Sequence, residues 1–222
     1  MKTRNVCLAS FLTAILAISA VKAQEDAPLF TAGADVYSNY IFRGSKLGTG
    51  PAIQPNVKFS AVGFTLGVWG SFDAAGYTEA DPYLSYSFPF GLTLGVTDYY
   101  SPALPLFEFS DTAGSHAFEL NAGFTVGGLS LSANYIVNKA PGIASAGNDL
   151  YFQAGYAFKS FNVSIGAGDG WHTSDGDFGI CHIAVGTSKE IKITDTFTLP
   201  VSGQVILNPE REQLFVVVGF SL

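Results

Sequence analysis

The sequence has few charged residues and only two cysteines, and long apolar runs are missing beyond its N-terminus. Charged side chains make up 13% of the 222 residues, about half of the roughly 25% usual in soluble domains, and a disordered chain would carry more. The formal net charge of -7 excludes a basic nucleic-acid-binding surface. No later segment reaches the ~18–20 apolar residues of a transmembrane helix. The chain contains instead 25 Gly, 19 Phe and 10 Tyr, and its hydrophobic residues, 48% of the total, are spread along the sequence.

The first 23 residues have the pattern of a secretory signal peptide. Lys2 and Arg4 precede a short apolar run at 7–20, and a cleavage site follows near Ala23. Removal of this segment takes away three of the 11 basic residues and none of the 18 acidic ones, so the mature chain carries a net charge of -10. One cysteine remains, which suits a bacterial envelope better than a disulfide-stapled secreted domain.

The rest of the chain alternates apolar and polar residues with a period of two. Successive side chains of a strand point to opposite faces, so this pattern gives each strand one apolar face and one mixed face. The final segment is typical, with Leu214, Val216, Val218, Phe220 and Leu222 on one face. We predict 12 strands, within a range of 10–14, at 30–43, 52–61, 63–73, 79–88, 91–100, 116–126, 128–138, 148–158, 161–170, 178–188, 196–207 and 212–222.

The connections between these strands alternate in length. Those at 62–63, 89–91, 127–128 and 159–160 are tight, whereas those at the other end are mostly longer; the turn at 189–196 is long where a tight one is expected. An even strand count with this alternation is the layout of a bacterial outer-membrane barrel. Backbone groups in hydrocarbon must be paired within the protein, which favours closure. We therefore predict an all-β, antiparallel, up-and-down transmembrane barrel at 29–222, after a short periplasmic segment at 24–28.

A soluble β-sandwich or lipocalin-like barrel is the competing fold. It would turn the apolar face inward and the polar face to water. The polar face here is rich in Ser, Thr, Asn, Gly and Tyr, whereas a solvent-facing surface normally carries abundant Lys and Glu. This difference favours the membrane barrel.

Several motifs of the mature chain resemble a known family. They are DVYSNYIFRG at 35–44, PAIQPNV at 51–57, GVWGSF at 67–72, EADPYLSYSF at 79–88 and TDYYSP at 97–102. These are similar to the TorF-type porins, also called the Gcw_chp family, and the similarity is strongest in the first half of the mature chain. The resemblance implies an outer-membrane location and a porin-like role, but no particular solute and no catalytic residues.

The last strand is similar to the C-terminal signal read by the barrel assembly machinery. Its alternating residues are Leu214, Val216, Val218, Phe220 and Leu222. The terminal residue is Leu, where Phe is more usual. We expect this strand to direct assembly of the barrel.

Strand parity predicts which polar side chains face the lumen. These are Asp35, Asn39, Arg43, Lys58, Glu79, Asp81, Glu119 and Asp149, with Trp69 among the aromatic residues on the same face. Five acids against two bases predict a mild cation preference for an open channel. Alternatively the charges pair within the lumen, Arg43 with Asp81 or Asp35 and Lys58 with Glu119. Twelve strands enclose a narrow lumen, and aromatic rings on its wall then narrow it further.

Two further functions stay open as alternatives. A closed structural barrel would act through its loops, and the loop 101–115 carries Leu104, Leu106, Phe107 and Phe109, which predict a contact site or a constriction folded into the lumen. An outer-membrane lipid-modifying enzyme is less favoured. It needs a nucleophile beside a base, and the only histidines are His116, His172 and His182, with no serine in a Gly-x-Ser-x-Gly turn.

One acidic side chain is predicted to face lipid. Parity turns Asp98 toward lipid, where an ionised group is costly, which predicts a β-bulge or a position at headgroup level.

The sequence predicts no cofactor and no metal site. Membrane lipids, the assembly machinery and small solutes are the expected partners, nucleic acid is not, and the oligomeric state is not predicted.

Overall fold

The computed structural model describes residues 29–222, and these residues form 14 strands with two single-turn 3-10 helices. The predicted signal peptide at 1–23 and the segment at 24–28 lie outside the described residues. The strands are β1 (Phe30–Tyr37), β2 (Tyr40–Phe42), β3 (Ser45–Leu47), β4 (Ala52–Ala61), β5 (Phe64–Asp73), β6 (Thr78–Ser87), β7 (Leu92–Tyr100), β8 (His116–Val126), β9 (Leu129–Ile136), β10 (Leu150–Ala157), β11 (Asn162–Gly168), β12 (Gly179–Lys192), β13 (Thr198–Asn208) and β14 (Gln213–Ser221). The 3-10 turns are Pro141–Ile143 and Gly170–His172.

Twelve of these strands form one closed antiparallel barrel. β4 to β14 pair in chain order, and β1 closes the cylinder by pairing with β4 on one side and β14 on the other. The closing seam with β14 is short, with Asp35 opposite Ser221 and Tyr37 opposite Gly219. The backbone N–H of Leu222 also donates to the carbonyl of Ala34 at 2.9 Å. The predicted 12-stranded antiparallel barrel is therefore confirmed. Within residues 29–222 no helix is long and apolar enough to cross a membrane.

The apolar face of the strands points out of the barrel. In β14, Val216 and Val218 are exposed while Val217 between them is buried. In β4, Ile53 is exposed while its neighbour Gln54 is buried. This arrangement is the inverse of a soluble barrel, whose apolar residues fill the interior. An apolar outer wall around a polar interior is the surface pattern of a transmembrane barrel, and it excludes the lipocalin-like alternative.

Two predicted strand boundaries were wrong. The first strand was expected to run from 30 to 43, but it ends at Tyr37, and the chain then turns into the separate hairpin of β2 and β3 before β4. The first half of the long turn expected at 189–196 is strand, because β12 runs to Lys192 and pairs there with Thr198 at the start of β13. Both errors arise because alternation does not reveal whether a strand lies in the barrel wall, within its lumen or beyond its rim.

The β2–β3 hairpin lies inside the barrel and supplies much of its core. Tyr40 and Phe42 pack against one side of the wall, where Tyr99, Ala117 and Ile136 are buried. Ile41, on the opposite face of β2, packs with Tyr37, Ala184, Ile206 and Val217. The period of two thus operates inside the lumen as well, since alternate side chains of β2 contact opposite walls. We call residues 40–47 the hairpin plug.

Candidate functional site

The tip of the hairpin plug is a two-residue turn formed by Arg43 and Gly44. Both have positive φ, 49° and 87°, as a tight hairpin turn requires, and this conformation is unusual for an arginine. Gly44 lies against the far wall, where its carbonyl accepts a hydrogen bond from the Asn208 side-chain amide at 3.1 Å. A Cβ atom at Gly44 would lie 1.8 Å from the carbonyl oxygen of Cys181. The backbone of the tip therefore lies so close to β12 that no side chain fits between them.

Substitution of this glycine should prevent the plug from seating. We expect Gly44→Ala to displace the tip, because neither the Cys181 backbone nor the turn can move at a low energetic cost. The substitution should lower the free energy of unfolding by at least about 1–3 kcal/mol. Gly50→Ala is the matched control, since a Cβ there meets no atom within 4 Å. Thermal unfolding of the refolded barrel, followed by its mobility shift on gels, measures the difference. Equal unfolding temperatures for the two variants would contradict the close seating of the tip.

The Arg43 side chain crosses the lumen to a carboxylate on the opposite wall. Its two terminal nitrogens each donate to one oxygen of Glu119 at 2.7 Å. The carboxylate also accepts from the Tyr99 hydroxyl at 3.0 Å and from the Asn121 amide at 2.6 Å. Burial disfavours the charged guanidinium, but Glu119 outweighs this and holds the pKa of Arg43 above its ordinary value. A bidentate, fully bonded pair of this kind fixes one orientation of the plug.

Aromatic rings enclose the Arg43–Glu119 pair. The guanidinium carbon lies 4.4 Å from the centroid of the Tyr151 ring and 4.8 Å from that of Phe42. Tyr151 can lie along the wall because its hydroxyl end passes over Gly166 of β11, where a Cβ would meet the tyrosine hydroxyl at 2.1 Å. Rings stacked on a cation attract it and exclude water from the ion pair.

His172 completes the enclosure from the loop after β11. Its Nε2 atom accepts a hydrogen bond from the Trp171 indole N–H at 2.9 Å and lies 3.3 Å from an Arg43 terminal nitrogen. Two donors at one ring nitrogen require that nitrogen to be unprotonated. Burial, and then the charge of Arg43, lower the pKa of His172 to about 2. The imidazole is therefore neutral whenever the plug is seated.

The chain just after the plug is tied to the turn between β5 and β6. Asp73 accepts from the backbone N–H of Thr49 at 2.8 Å, and from those of Ala75 and Tyr77 at 2.9 Å each. Tyr77 packs against Tyr40 of the plug at a centroid distance of 6.0 Å. This polar connection fixes the base of the plug near the mouth of the lumen.

The other predicted lumen residues line the same interior, but most do not contact Arg43. Asp35 accepts from Ser221 and Asp149 from Ser145, while Glu79 and Asp81 are buried near Tyr40. Asn39 borders a cavity of about 10 Å³. Trp69 packs on Tyr40 at 5.5 Å, and Lys58 is half-buried.

The predicted ion pairs were wrong in their partners. Arg43 pairs with Glu119 rather than with Asp81 or Asp35. Lys58, expected to pair with Glu119, forms no salt bridge within residues 29–222. The reason is the inward turn of the chain after Tyr37, which carries Arg43 across the lumen to a strand that simple parity cannot identify.

The loop 101–115 lies outside the lumen. Phe109 stacks on the His116 ring at 4.5 Å and lies 6.5 Å from Phe118, which shares the outward face of β8 with Leu120. Leu106 and Phe107 are exposed, Phe107 by 85%, and Leu104 is half-buried. The segment that enters the lumen is therefore the hairpin plug and not this loop, whose apolar residues remain a candidate contact surface.

Asp98 does face outward, but without a β-bulge. The ladder between β7 and β8 is regular through Asp98 and Phe118, which corrects the bulge expected there. The carboxylate is instead paired with His116 Nδ1 at 2.9 Å, and His116 Nε2 donates to the carbonyl of Leu106 at 2.8 Å. The loop thus covers the charge that parity places on the outer wall.

The histidines do not form a nucleophile–base–acid arrangement within the described chain. His116 and His172 have the partners given above. His182 lies 2.9 Å from the Ser164 hydroxyl through Nε2, but its Nδ1 has no hydrogen-bond partner among residues 29–222, so nothing there orients it as a base. The same residues contain no cluster of three or more His, Cys, Asp or Glu arranged to hold a metal ion.

A family profile described as a bacterial protein of unknown function (Gcw_chp) matches residues 22–194. The chain belongs to the Gcw_chp family. No sequence match to a curated protein was found.

Solved structures similar to this Gcw_chp chain include a bacterial porin and two proteins named Occ, all with low sequence identity. A triple mutant of the Rhodopseudomonas blastica porin is 15% identical with a TM-score of 0.44, over 77% of this chain and 55% of the porin. Acinetobacter baumannii OccAB3 is 11% identical with a TM-score of 0.38, over 89% and 65%. Pseudomonas aeruginosa OccK5 (OpdH) is 11% identical with a TM-score of 0.35, over 87% and 66%. The chain thus spans between about half and two thirds of the length of these proteins.

Sequence reasoning missed the plug of this Gcw_chp barrel. Parity places Arg43 on the lumen face of a wall strand, and it does not identify Tyr40, Phe42 and Gly44 as plug residues or Trp171 as one of their neighbours. A signal was present, because the triplets at 40–42 and 45–47 flank an Arg-Gly pair, which is the spacing of a two-residue hairpin.

Proposed function

We propose that this Gcw_chp protein is an outer-membrane channel for small solutes that the hairpin plug holds closed, as its resemblance to the TorF-type porins suggests. One observation carries the proposal: β2 and β3 pair only with each other, while β1 pairs directly with β4 behind them. The plug can therefore leave the lumen without breaking a ladder hydrogen bond of the barrel. An open barrel would then remain.

The lumen charges favour small cations as the solutes. Asp35, Glu79, Asp81 and Asp149 are buried lumen acids, and the one buried guanidinium in the described chain, Arg43, already neutralises Glu119. A lumen with surplus negative charge lowers the energy of a passing cation and raises that of an anion. Side chains nearer the tight turns, such as Ser132, Ser164 and Gln204, are half-buried and polar, which suits a wet vestibule.

The location and partners follow from the same proposal. Cleavage near Ala23 would release the mature chain, and the outward residues Leu214, Val216, Val218, Phe220 and Leu222 would present the last strand to the barrel assembly machinery. The exposed apolar wall would contact membrane lipids. The tight turns would then face the periplasm, and the mouth beside Tyr77 and loop 101–115 would face the exterior.

A permanently closed barrel is the second candidate, and the packing of the plug favours it. Tyr40 and Phe42 are buried among aromatic side chains of the wall, which is the construction of a stable core. Such a protein would act through its outer loops. The two candidates differ in one measurable property, because only the channel conducts once the plug is removed.

Conductance in planar lipid bilayers tests the proposal. We expect replacement of residues 39–48 by a short Gly-Ser linker to raise the single-channel conductance well above that of the intact protein, with a preference for potassium over chloride. The matched control shortens the loop 101–115 by the same number of residues, since that loop lies outside the lumen. No conductance from the folded, plug-deleted barrel would contradict the channel, and opening by the control deletion alone would contradict the assignment of the plug.

A further inference from the structure

Two buried carboxylates near the mouth of the lumen have no cationic partner. Glu79 and Asp81 lie on the same face of β6, because they are two residues apart, and they are 9% and 2% exposed. Within residues 29–222 neither forms a salt bridge with a lysine, arginine or histidine. Burial of ionised carboxylates without a counter-charge is strongly unfavourable. The site therefore needs either a proton or a cation, and the described chain supplies no cationic side chain there.

The hydrogen bonds that these carboxylates do form leave room for another partner. Glu79 accepts from the Tyr77 hydroxyl at 3.0 Å, and Asp81 accepts a long bond from the Tyr100 backbone N–H at 3.3 Å. A carboxylate offers about four acceptor positions. Most of the acceptor positions of these two carboxylates are thus unused.

A buried hydroxyl from the plug points to a ligand at the same place. Tyr40 is 4% exposed, and its hydroxyl has no hydrogen-bond partner within the described chain. It lies beside the Glu79 carboxylate and close to Asp81. Its ring is held there by Trp69 at 5.5 Å and by Tyr77 at 6.0 Å. An orphaned polar group so firmly positioned requires a partner.

We propose that Glu79, Asp81 and the Tyr40 hydroxyl form a binding site for a hard divalent cation of the calcium class. All the donor atoms are oxygens, which such cations prefer, and two carboxylates match the charge of one divalent ion. The Tyr77 hydroxyl supplies a further neutral oxygen, and water completes the shell. The cation would link β6 of the wall to β2 of the plug, so it stabilises the closed state.

The route to the site is short. Tyr77 is half-buried and follows the exposed turn 74–76 at the mouth of the lumen, so an ion entering beside its ring reaches Glu79 first. Binding does not depend on conduction through the barrel. A failure of this site would therefore leave the channel proposal standing, and the reverse also holds.

Terbium luminescence tests the site directly, because Tb³⁺ takes oxygen ligands like those of Ca²⁺ and is sensitised by tyrosines held beside it. We expect the folded full-length mature barrel, excited at a tyrosine wavelength, to give Tb³⁺ emission that Ca²⁺ competes away. Glu79→Gln/Asp81→Asn should lower the apparent affinity at least tenfold. Tyr40→Phe, which removes one oxygen and keeps the ring, should lower it several-fold. Asp111→Asn/Asp175→Asn, at two exposed loop acids of the same end, is the matched control and should bind as the wild type does.

Two results would overturn the proposal. One is sensitised emission that is absent from the folded wild-type barrel or is unchanged by either carboxylate substitution; the single variants Glu79→Gln and Asp81→Asn provide this comparison if the double variant does not fold. The other is an unfolding temperature that rises in the double variant and is insensitive to Ca²⁺ in the wild type. That result would mean that the two carboxyl groups hold a proton in place of a metal ion.

Discussion

Glu119→Gln is expected to open the barrel. The substitution keeps the shape of the side chain but removes the charge that neutralises Arg43, whose side chain is 4% exposed. Breaking a buried ion pair by removing one partner costs about 3–5 kcal/mol, because the other charge stays buried and unpaired. The plug can escape this cost by leaving the lumen, since it shares no ladder hydrogen bond with the wall. We therefore expect the population of the plugged state relative to the open state to fall by about 100-fold or more.

Bilayer recording of open probability measures this effect, and two variants control it. Glu190→Gln removes an equivalent charge from an exposed position on β12 and should leave the barrel closed. Arg43→Met/Glu119→Leu removes both charges and fills the space with apolar side chains, which is often neutral in buried pairs. This double variant should remain closed more often than Glu119→Gln alone. Identical recordings for Glu119→Gln and the wild type would show that the ion pair does not hold the plug.

The barrel wall could be predicted from sequence because one local rule determines it. Alternation from Ile53 to Ala61 and from Leu214 to Leu222 specifies an apolar side, and closure follows from the need to pair every backbone group in lipid. The lengths of the connections then fix the order of the strands. Each of these inferences uses neighbouring residues alone, so the three-dimensional arrangement adds little to them.

The plug could not be predicted in the same way because local sequence does not show where a hairpin lies. Tyr40, Ile41 and Phe42 are all apolar and all buried, and only their contacts with the wall show that this segment lies in the lumen. The pairing of Arg43 with Glu119 joins residues 76 positions apart, and no single sequence shows which strands face each other across a lumen. The same holds for Asp98, whose burial beneath loop 101–115 depends on a tertiary contact with His116.

Acidification should weaken the seated plug through His172. With the plug in place, Trp171 and Arg43 both approach Nε2, and burial together with the Arg43 charge lowers the pKa of His172 to about 2. Once the plug leaves, the imidazole is expected to return to its ordinary pKa near 6.5. The open state therefore binds more protons below pH 6.5, and the closed state loses about 1.4 kcal/mol for each further unit of acid. Above pH 6.5 the open and closed states bind the same number of protons at His172, so no dependence of the open population on pH is expected from it.

Recording between pH 7.5 and pH 4.5 tests this linkage. The open population of the wild type should rise by about 100-fold over that interval. The reason is that about two of its pH units lie below the ordinary pKa of histidine, and each contributes about tenfold. His172→Gln keeps a hydrogen-bond acceptor for Trp171 but cannot be protonated, so its open population should vary much less. Glu119, Asp149 and Asp169 are acids near this cluster, and because they are present in both proteins, the comparison isolates the contribution of His172. If wild type and His172→Gln open with the same pH dependence, His172 does not couple protons to the position of the plug.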